Sequence, residues 1–146
     1  MEKFVCKMCG YVELKDVAPE KCPQCGAPKK AFEQREDAIK LPENTDEKSG
    51  LEKKHVPVIL VNKSCSLIEG CVDVHVKMGD IIHPMETEHY INVIDFYLDK
   101  EFISRVKLTA QNIQPAGCLH LAADEGRLSV VEHCTVHGNW LAEKEL

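Results

Sequence analysis

The sequence predicts a mostly β protein, an antiparallel β-sandwich preceded by a small metal-binding module, and three observations carry that reading. Beyond residue 55, short β-branched runs recur at intervals of roughly ten to fifteen residues, with turn signals between most of them. Within one run Val72, Val74, Val76 and Met78 alternate with Asp73, His75 and Lys77, the period of a strand with one buried face. Four cysteines crowd into the first 33 residues, where three aromatics (Phe4, Tyr11, Phe32) are too little apolar material for a self-sufficient core. A metal staple is the remedy for such a piece.

Taken in order, residues 1–35 form the cysteine module and residues 36–50 a linker. The stretch QREDAIKLPENTDEKSG at 34–50 is almost wholly polar and holds a Pro, an Asn and a Gly; any helical turn is expected at its start. Residues 51–146 then supply VPVILVN at 56–62, VDVHVKM at 72–78, YINVIDFYL at 90–98, FISRVKLTA at 102–110, CLHLAA at 118–123 and LSVVEHC at 128–134. Gly70, Gly79-Asp80, Asp99-Lys100, Pro115-Ala116-Gly117 and Asp124-Glu125-Gly126 punctuate them, and a sandwich of about seven strands follows. There is no internal repeat or low-complexity segment.

Composition narrows the function. The 146 residues carry 24 acidic and 18 basic side chains, a formal charge of −6, and no basic stripe of the kind a phosphate backbone requires, so no nucleic-acid partner is expected. The longest apolar runs fall well short of the roughly eighteen residues that span a bilayer, and no membrane association is expected. The N-terminus lacks a charged start followed by an apolar region, which predicts a cytoplasmic protein. In that compartment eight cysteines read as metal ligands or reactive thiols rather than disulfides.

The first constellation is Cys6-Lys7-Met8-Cys9-Gly10 and Cys22-Pro23-Gln24-Cys25-Gly26, two CxxC turns twelve residues apart. Each turn offers two thiolates to one metal, and the glycine after the second cysteine permits the positive φ the turn requires. Together they make a tetrahedral four-sulfur site suited to iron or zinc. FVCKMCGYV followed by APEKCPQCGAPKKAFE resembles the rubredoxin-like domain of rubrerythrins, which implies one iron that passes single electrons. A structural zinc ribbon shares the spacing and is the alternative.

The second constellation is spread over three places: Lys54-His55-Val56-Pro57, His83-Pro84-Met85-Glu86-Thr87-Glu88-His89-Tyr90-Ile91, and Cys134-Thr135-Val136-His137-Gly138-Asn139-Trp140. Neutral imidazoles with a thiolate suit iron, copper or zinc. His83 and His89 stand at the two ends of one short loop, and Cys134 and His137 can grip one ion from a single turn. His55 is expected to open a strand, and only folding could bring it to the others.

KHVP, HPMxxEHYI and CxxHGxW in this order resemble the superoxide reductases, known as neelaredoxins and, with an N-terminal iron module, as desulfoferrodoxins; the resemblance runs from about residue 51 to 142. It implies an immunoglobulin-like sandwich, His55, His83, His89 and His137 as equatorial ligands of a second mononuclear iron, Cys134 as its axial thiolate, and a sixth position open to solvent. It also implies reduction of superoxide to hydrogen peroxide without release of dioxygen, a rubredoxin-type or other reductase as electron donor, and a homodimer or homotetramer. Two departures stand out. The family commonly reads EKHVP, whose Glu can close the sixth position, whereas here Lys53 occupies that place and Glu52 sits one residue earlier. The common two-iron members also have adjacent last cysteines in their N-terminal module, whereas this chain has CPQC.

Lys54, beside a ligand, is the candidate catalytic residue, a cation that attracts an anionic substrate to a domain of nine bases and fourteen acids. His75, His120 and His133 read as surface or structural residues, and Cys65, Cys71 and Cys118 as small buried apolar residues or bystander thiols. A non-catalytic electron-transfer or redox-sensing protein, and a zinc-stapled interaction module, are the alternatives to an enzyme.

Overall fold

Strands β1 (Lys3–Cys6), β2 (Val12–Glu13) and β3 (Phe32–Arg35) pair antiparallel in the order β2-β1-β3, in a computed structural model that describes residues 1–43 and 48–146. The two CxxC turns project from this small sheet. After helix α1 (Gly50–His55) come β4 (Pro57–Asn62), β5 (Val72–Met78), β6 (Ile91–Leu98), β7 (Glu101–Lys107), β8 (Ala116–Leu121), β9 (Arg127–Cys134) and β10 (Gly138–Glu145). They form two antiparallel sheets, β4-β5-β8 and β10-β9-β6-β7, the expected seven-stranded sandwich. No described helix is long and apolar enough to cross a membrane.

Between the two sheets Val72, Val74, Val76 and Met78 of β5 meet Ile94, Phe96, Leu128 and Val130. Each such side chain contributes about 1.5–3 kcal/mol on burial. The outer face of β5 is polar, so its alternation was legible. Strands β6 and β9 differ, because a second core lies on their far side. Tyr11, Val12 and Leu14 of the cysteine module pack there against Tyr97, Val131 and Leu141. Tyr11 lies 5.9 Å from Tyr97 and 5.4 Å from Phe102 between ring centres. The Tyr97 hydroxyl donates to the Val12 carbonyl at 2.7 Å. The staple is thus supplemented by an apolar face borrowed from the sandwich.

The polar stretch at 34–50 is tied to the sandwich in part. Ala38 and Ile39 are buried, the Lys40 amide donates to the Asn139 carbonyl at 2.8 Å, and Lys40 bridges to Trp140 of β10. The helical turn lies at its far end rather than its start. Ser49 and Glu52 form a reciprocal capping box: the Glu52 amide donates to the Ser49 hydroxyl at 3.2 Å, and the Ser49 amide to the Glu52 carboxylate at 2.9 Å. His55 therefore closes a helix instead of opening a strand, which corrects the sequence expectation. Along α1 Lys53 and Lys54 differ by about 100° in direction, not by the half-turn a strand would impose.

Candidate metal centres

The four cysteines of the small module converge. Cys6 Sγ lies 3.7 Å from Cys25 Sγ and Cys9 Sγ 3.6 Å from Cys22 Sγ, and all four sulfurs lie within 4.8 Å of one another. Gly10 and Gly26 take φ +76° and +78°, as the turns demand, and their amides donate to the Cys6 and Cys22 carbonyls at 2.8 Å. Burial pushes the Cys9 and Cys22 thiols up, while a backbone N–H at Ala27 lowers exposed Cys25. A cation at the centre would take the place of the thiol protons.

The second centre is assembled from α1, the β5–β6 loop and the β9–β10 turn. The backbone of α1 rests on Gly79, where a Cβ would come within 2.5 Å of the Lys53 carbonyl oxygen, so only glycine allows the approach. The Ile81 amide then donates to that carbonyl at 3.0 Å, and the His83 amide to the Met78 carbonyl at 2.8 Å. Glu86 and His89 exchange two backbone hydrogen bonds of 3.0 Å, which turns the chain so that His89 faces His83.

The four imidazoles stand near the corners of a square. Ring centres are 4.6 Å apart for His55–His83, 4.7 Å for His83–His89, 4.9 Å for His89–His137 and 5.0 Å for His137–His55, each pair steeply inclined, and the His55–His89 diagonal is 6.4 Å. His55 Nδ1 donates to the Leu51 carbonyl and His83 Nδ1 to the Pro84 carbonyl, both at 2.7 Å. Each ring's Nε2 is therefore an unprotonated lone pair. These two nitrogens face each other at 3.1 Å, and buried His89 Nε2 has no partner. Lone pairs so placed repel unless a cation lies among them, and the donor set fits a borderline transition metal.

Cys134 Sγ completes the set, 3.4 Å from His83 Nε2 and 3.8 Å from His137 Nδ1. Burial pushes its thiol up, opposed by backbone N–H groups including that of His137 at 3.4 Å. Burial also lowers His55, His83 and His137, with His83 near 4, so the rings stay neutral and able to ligate.

A cleft of about 580 Å³ opens onto the histidines, lined by Leu51, Lys54, Ile81, Ile82, Pro84 and Glu86 with His55, His89 and His137; Cys134 does not line it. A larger cavity of about 740 Å³, flanked by Met1, Leu14, Leu41 and Leu141, contains no candidate ligand. Lys54 lies at the mouth of the histidine cleft, while exposed Lys53 is not part of its wall. Lys40 is a cation that sequence reasoning missed: its Nζ donates to the His137 carbonyl at 2.7 Å and lies 5.7 Å from the centre of the Trp140 ring. No local signal could have found it, since it stands 97 residues from His137. Glu52 is held by the amides of Ser49 and Glu43, the latter at 3.1 Å, and is spent on the helix cap.

His133 is structural, as expected. Its Nε2 lies 3.0 Å from Asp95, whose carboxylate accepts two hydrogen bonds from Arg105 at 2.6 and 2.7 Å. Arg105 also donates to the Cys9 carbonyl at 2.7 Å. Of the remaining cysteines, Cys118 fits the reading as a bystander thiol, whereas Cys71 and Cys65 are not apolar core residues. Cys71 is buried in a polar group with Asp73 and His120, Cys65 is half-buried beside it, and Cys118 is exposed opposite His75.

These features define a two-centre β metalloprotein, with a tetrathiolate on one module and a four-imidazole, one-thiolate set on a sandwich. The family model for desulfoferrodoxin matches residues 47–143, and that for the rubredoxin-like domain of rubrerythrin matches residues 4–33. The chain belongs to the desulfoferrodoxin family. It is 31% identical to the desulfoferrodoxin of Syntrophotalea carbinolica over 98% of this chain and 96% of that one. A 37-residue segment, 25% of this chain and 20% of the other protein, is 51% identical to reverse rubrerythrin-1 of Clostridium acetobutylicum. The solved superoxide reductase from Nanoarchaeum equitans superposes with a TM-score of 0.59 at 26% identity, covering 74% of this chain and 99% of that one. The two donor sets match the two mononuclear iron centres of desulfoferrodoxin-type proteins.

Proposed function

We propose that the chain is a superoxide reductase, in which one electron and two protons convert superoxide to hydrogen peroxide. The carrying observation is the square of four imidazoles over a buried thiol, with a cleft that Lys54 helps to line opening on His55, His89 and His137. His55, His83, His89, His137 and Cys134 would hold the catalytic iron, and Cys6, Cys9, Cys22 and Cys25 the iron that passes electrons to it. Iron held by the histidines and Cys134 would supply one-electron reducing chemistry at the cleft, which a thiolate donor would favour. Lys54 draws the anion to the cleft and offers an N–H at its mouth, while Ile81, Ile82 and Pro84 form its wall. Residues 1–35 are the electron-transfer domain, 36–50 its connection, and 51–146 the reductase domain. A rubredoxin-type or other reductase is the donor, the protein is a homodimer or homotetramer, and its place is the cytoplasm, where thiols stay reduced.

A pulse of superoxide delivered to the reduced, iron-loaded protein tests the reading. One peroxide is expected for each superoxide consumed, with no dioxygen released. Release of dioxygen would show dismutation, and absence of turnover would leave an electron carrier.

Lys54→Ala separates attraction from proton supply. The second-order rate with superoxide should fall and lose much of its salt dependence, since exposed charges are screened over about 10 Å at 0.1 M salt. If the Lys54 N–H also supplies a proton, a first-order step after binding slows as well, and no salt reproduces that loss. Lys53→Ala, whose side chain lies outside the cleft, is the control. Equal losses in both variants would reduce Lys54 to a general field effect.

A further inference from the structure

A third group of metal-ligating side chains lies on the outer face of the β4-β5-β8 sheet. Asp73 of β5 and His120 of β8 are cross-strand partners, and Cys71 precedes Asp73 by two residues on the same face. Cys65 arrives from the loop between β4 and β5. We propose that Cys65, Cys71, Asp73 and His120 form a closed four-coordinate site for a divalent borderline cation, zinc above all.

The spacing supports it. One donor atom from each residue lies within 4.8 Å of all the others. Cys65 Sγ is 3.6 Å and Cys71 Sγ 3.2 Å from His120 Nδ1, and Cys71 Sγ is 3.6 Å from Asp73 Oδ1. Bond lengths of about 2.3 Å to sulfur and 2.0–2.1 Å to nitrogen put tetrahedral sulfur and nitrogen ligands about 3.5 Å apart. Comparable separations, 3.6 and 3.7 Å, hold between the sulfurs of the tetrathiolate module. His120 Nδ1 and Asp73 Oδ1 stand at 2.7 Å, a hydrogen-bond distance at which a proton holds the place a cation would take. Among the described residues no Lys or Arg forms an ion pair with Asp73. Two thiols, an imidazole and a carboxylate therefore converge with no Lys or Arg paired to them among the described residues, and a cation would take the place of the thiol protons. Zinc accepts sulfur, nitrogen and oxygen together in a tetrahedron without geometric preference of its own.

The segment between the two cysteines needs such a clamp. Leu67 and Ile68 are 71% and 57% exposed, so no apolar burial there holds the loop, and its cysteines flank it at both ends. A cation shared by Cys65, Cys71 and His120 would bind the loop to β5 and β8 at once. All four donors would be protein groups and no position is left open, so the role is structural.

The test uses the full chain with both irons loaded, reduced and free of oxygen. Cobalt(II) added to it should bind as one further ion per chain, with thiolate-to-cobalt absorption and the visible bands of a tetrahedral centre, and zinc should bleach them. Iron content should not change. Cys65→Ser with Cys71→Ser should lose the cobalt absorption and keep both irons, and His120→Ala should lose most of it. Should the double variant not fold, zinc must protect Cys65 and Cys71, identified by mass spectrometry, from alkylation in the unaltered chain. Failure of a third ion to bind would overturn the proposal, as would cobalt bands that survive in the double variant, or a Cys65–Cys71 disulfide in protein purified without oxygen.

Discussion

Cys134→Ser is expected to remove the thiolate-to-iron absorption of the sandwich centre and to cut superoxide reduction at least about a hundredfold, more than the loss typical of a residue that only supports a ligand. The substitution nearly conserves volume, so packing around the site should survive. What changes is the donor. A thiol beside a cation loses its proton readily, whereas an alcohol at the same place stays neutral and binds weakly. The backbone N–H of His137 that now points at Sγ would then face a neutral hydroxyl in place of a thiolate. The absorption of the tetrathiolate module serves as an internal control and should be unaltered. A persisting sandwich band would mean that Cys71 or Cys118 supplies the sulfur, although neither lies with the four imidazoles in this fold.

Arg105→Met should be the most damaging change outside the ligands, with a loss of about 3–5 kcal/mol, the usual result of leaving one partner of a buried pair alone. Asp95 is 0% exposed. Its burial would raise the carboxyl, but hydrogen bonds from Arg105 and His133 outweigh that and hold it below the ordinary range. A depressed carboxylate contributes stability that is complete above its unfolded pKa of about 3.9 and is lost as pH falls through the lower folded value. Without Arg105 the shift reverses sign, because burial is then only partly opposed by His133. The folded variant would take up a proton more readily than the unfolded chain, so its deficit should be greatest at neutral pH and narrow as pH falls. Urea midpoints for both proteins across that interval give the measurement. An equal deficit at every pH would mean that lost packing, not the stranded carboxylate, dominates.

How far the chain could be read from its letters depended on how many faces each element buries. Strand β5 was bounded correctly because one face is solvent and the other core, so its side chains alternate. Strand β10 carries Leu-Ala-Glu-Lys-Glu, residues that favour a helix, and only its pairing with the full length of β9 makes it a strand. Helix α1 had a legible signal in Ser49 and Glu52, three residues apart, but it sat in a stretch whose polarity suggested a linker. The metal motifs were plain where ligands share a turn, as with the two CxxC pairs and Cys134 with His137. That His55 joins them is a property of the closed sandwich. Cys65 and His120, 55 residues apart, belong to no motif at all.

The apolar contact between Tyr11, Val12, Tyr97 and Val131 makes the two modules partners in one equilibrium. To the extent that metal binding closes the cysteine turns and orders the small sheet, the free energy of that burial adds to the affinity for the metal. By linkage the reverse coupling has the same size: an occupied tetrathiolate would favour the docked arrangement in which the small sheet packs on β6 and β9. The small module's metal is therefore a tether on the sandwich that carries the other centre, in addition to any electron it passes.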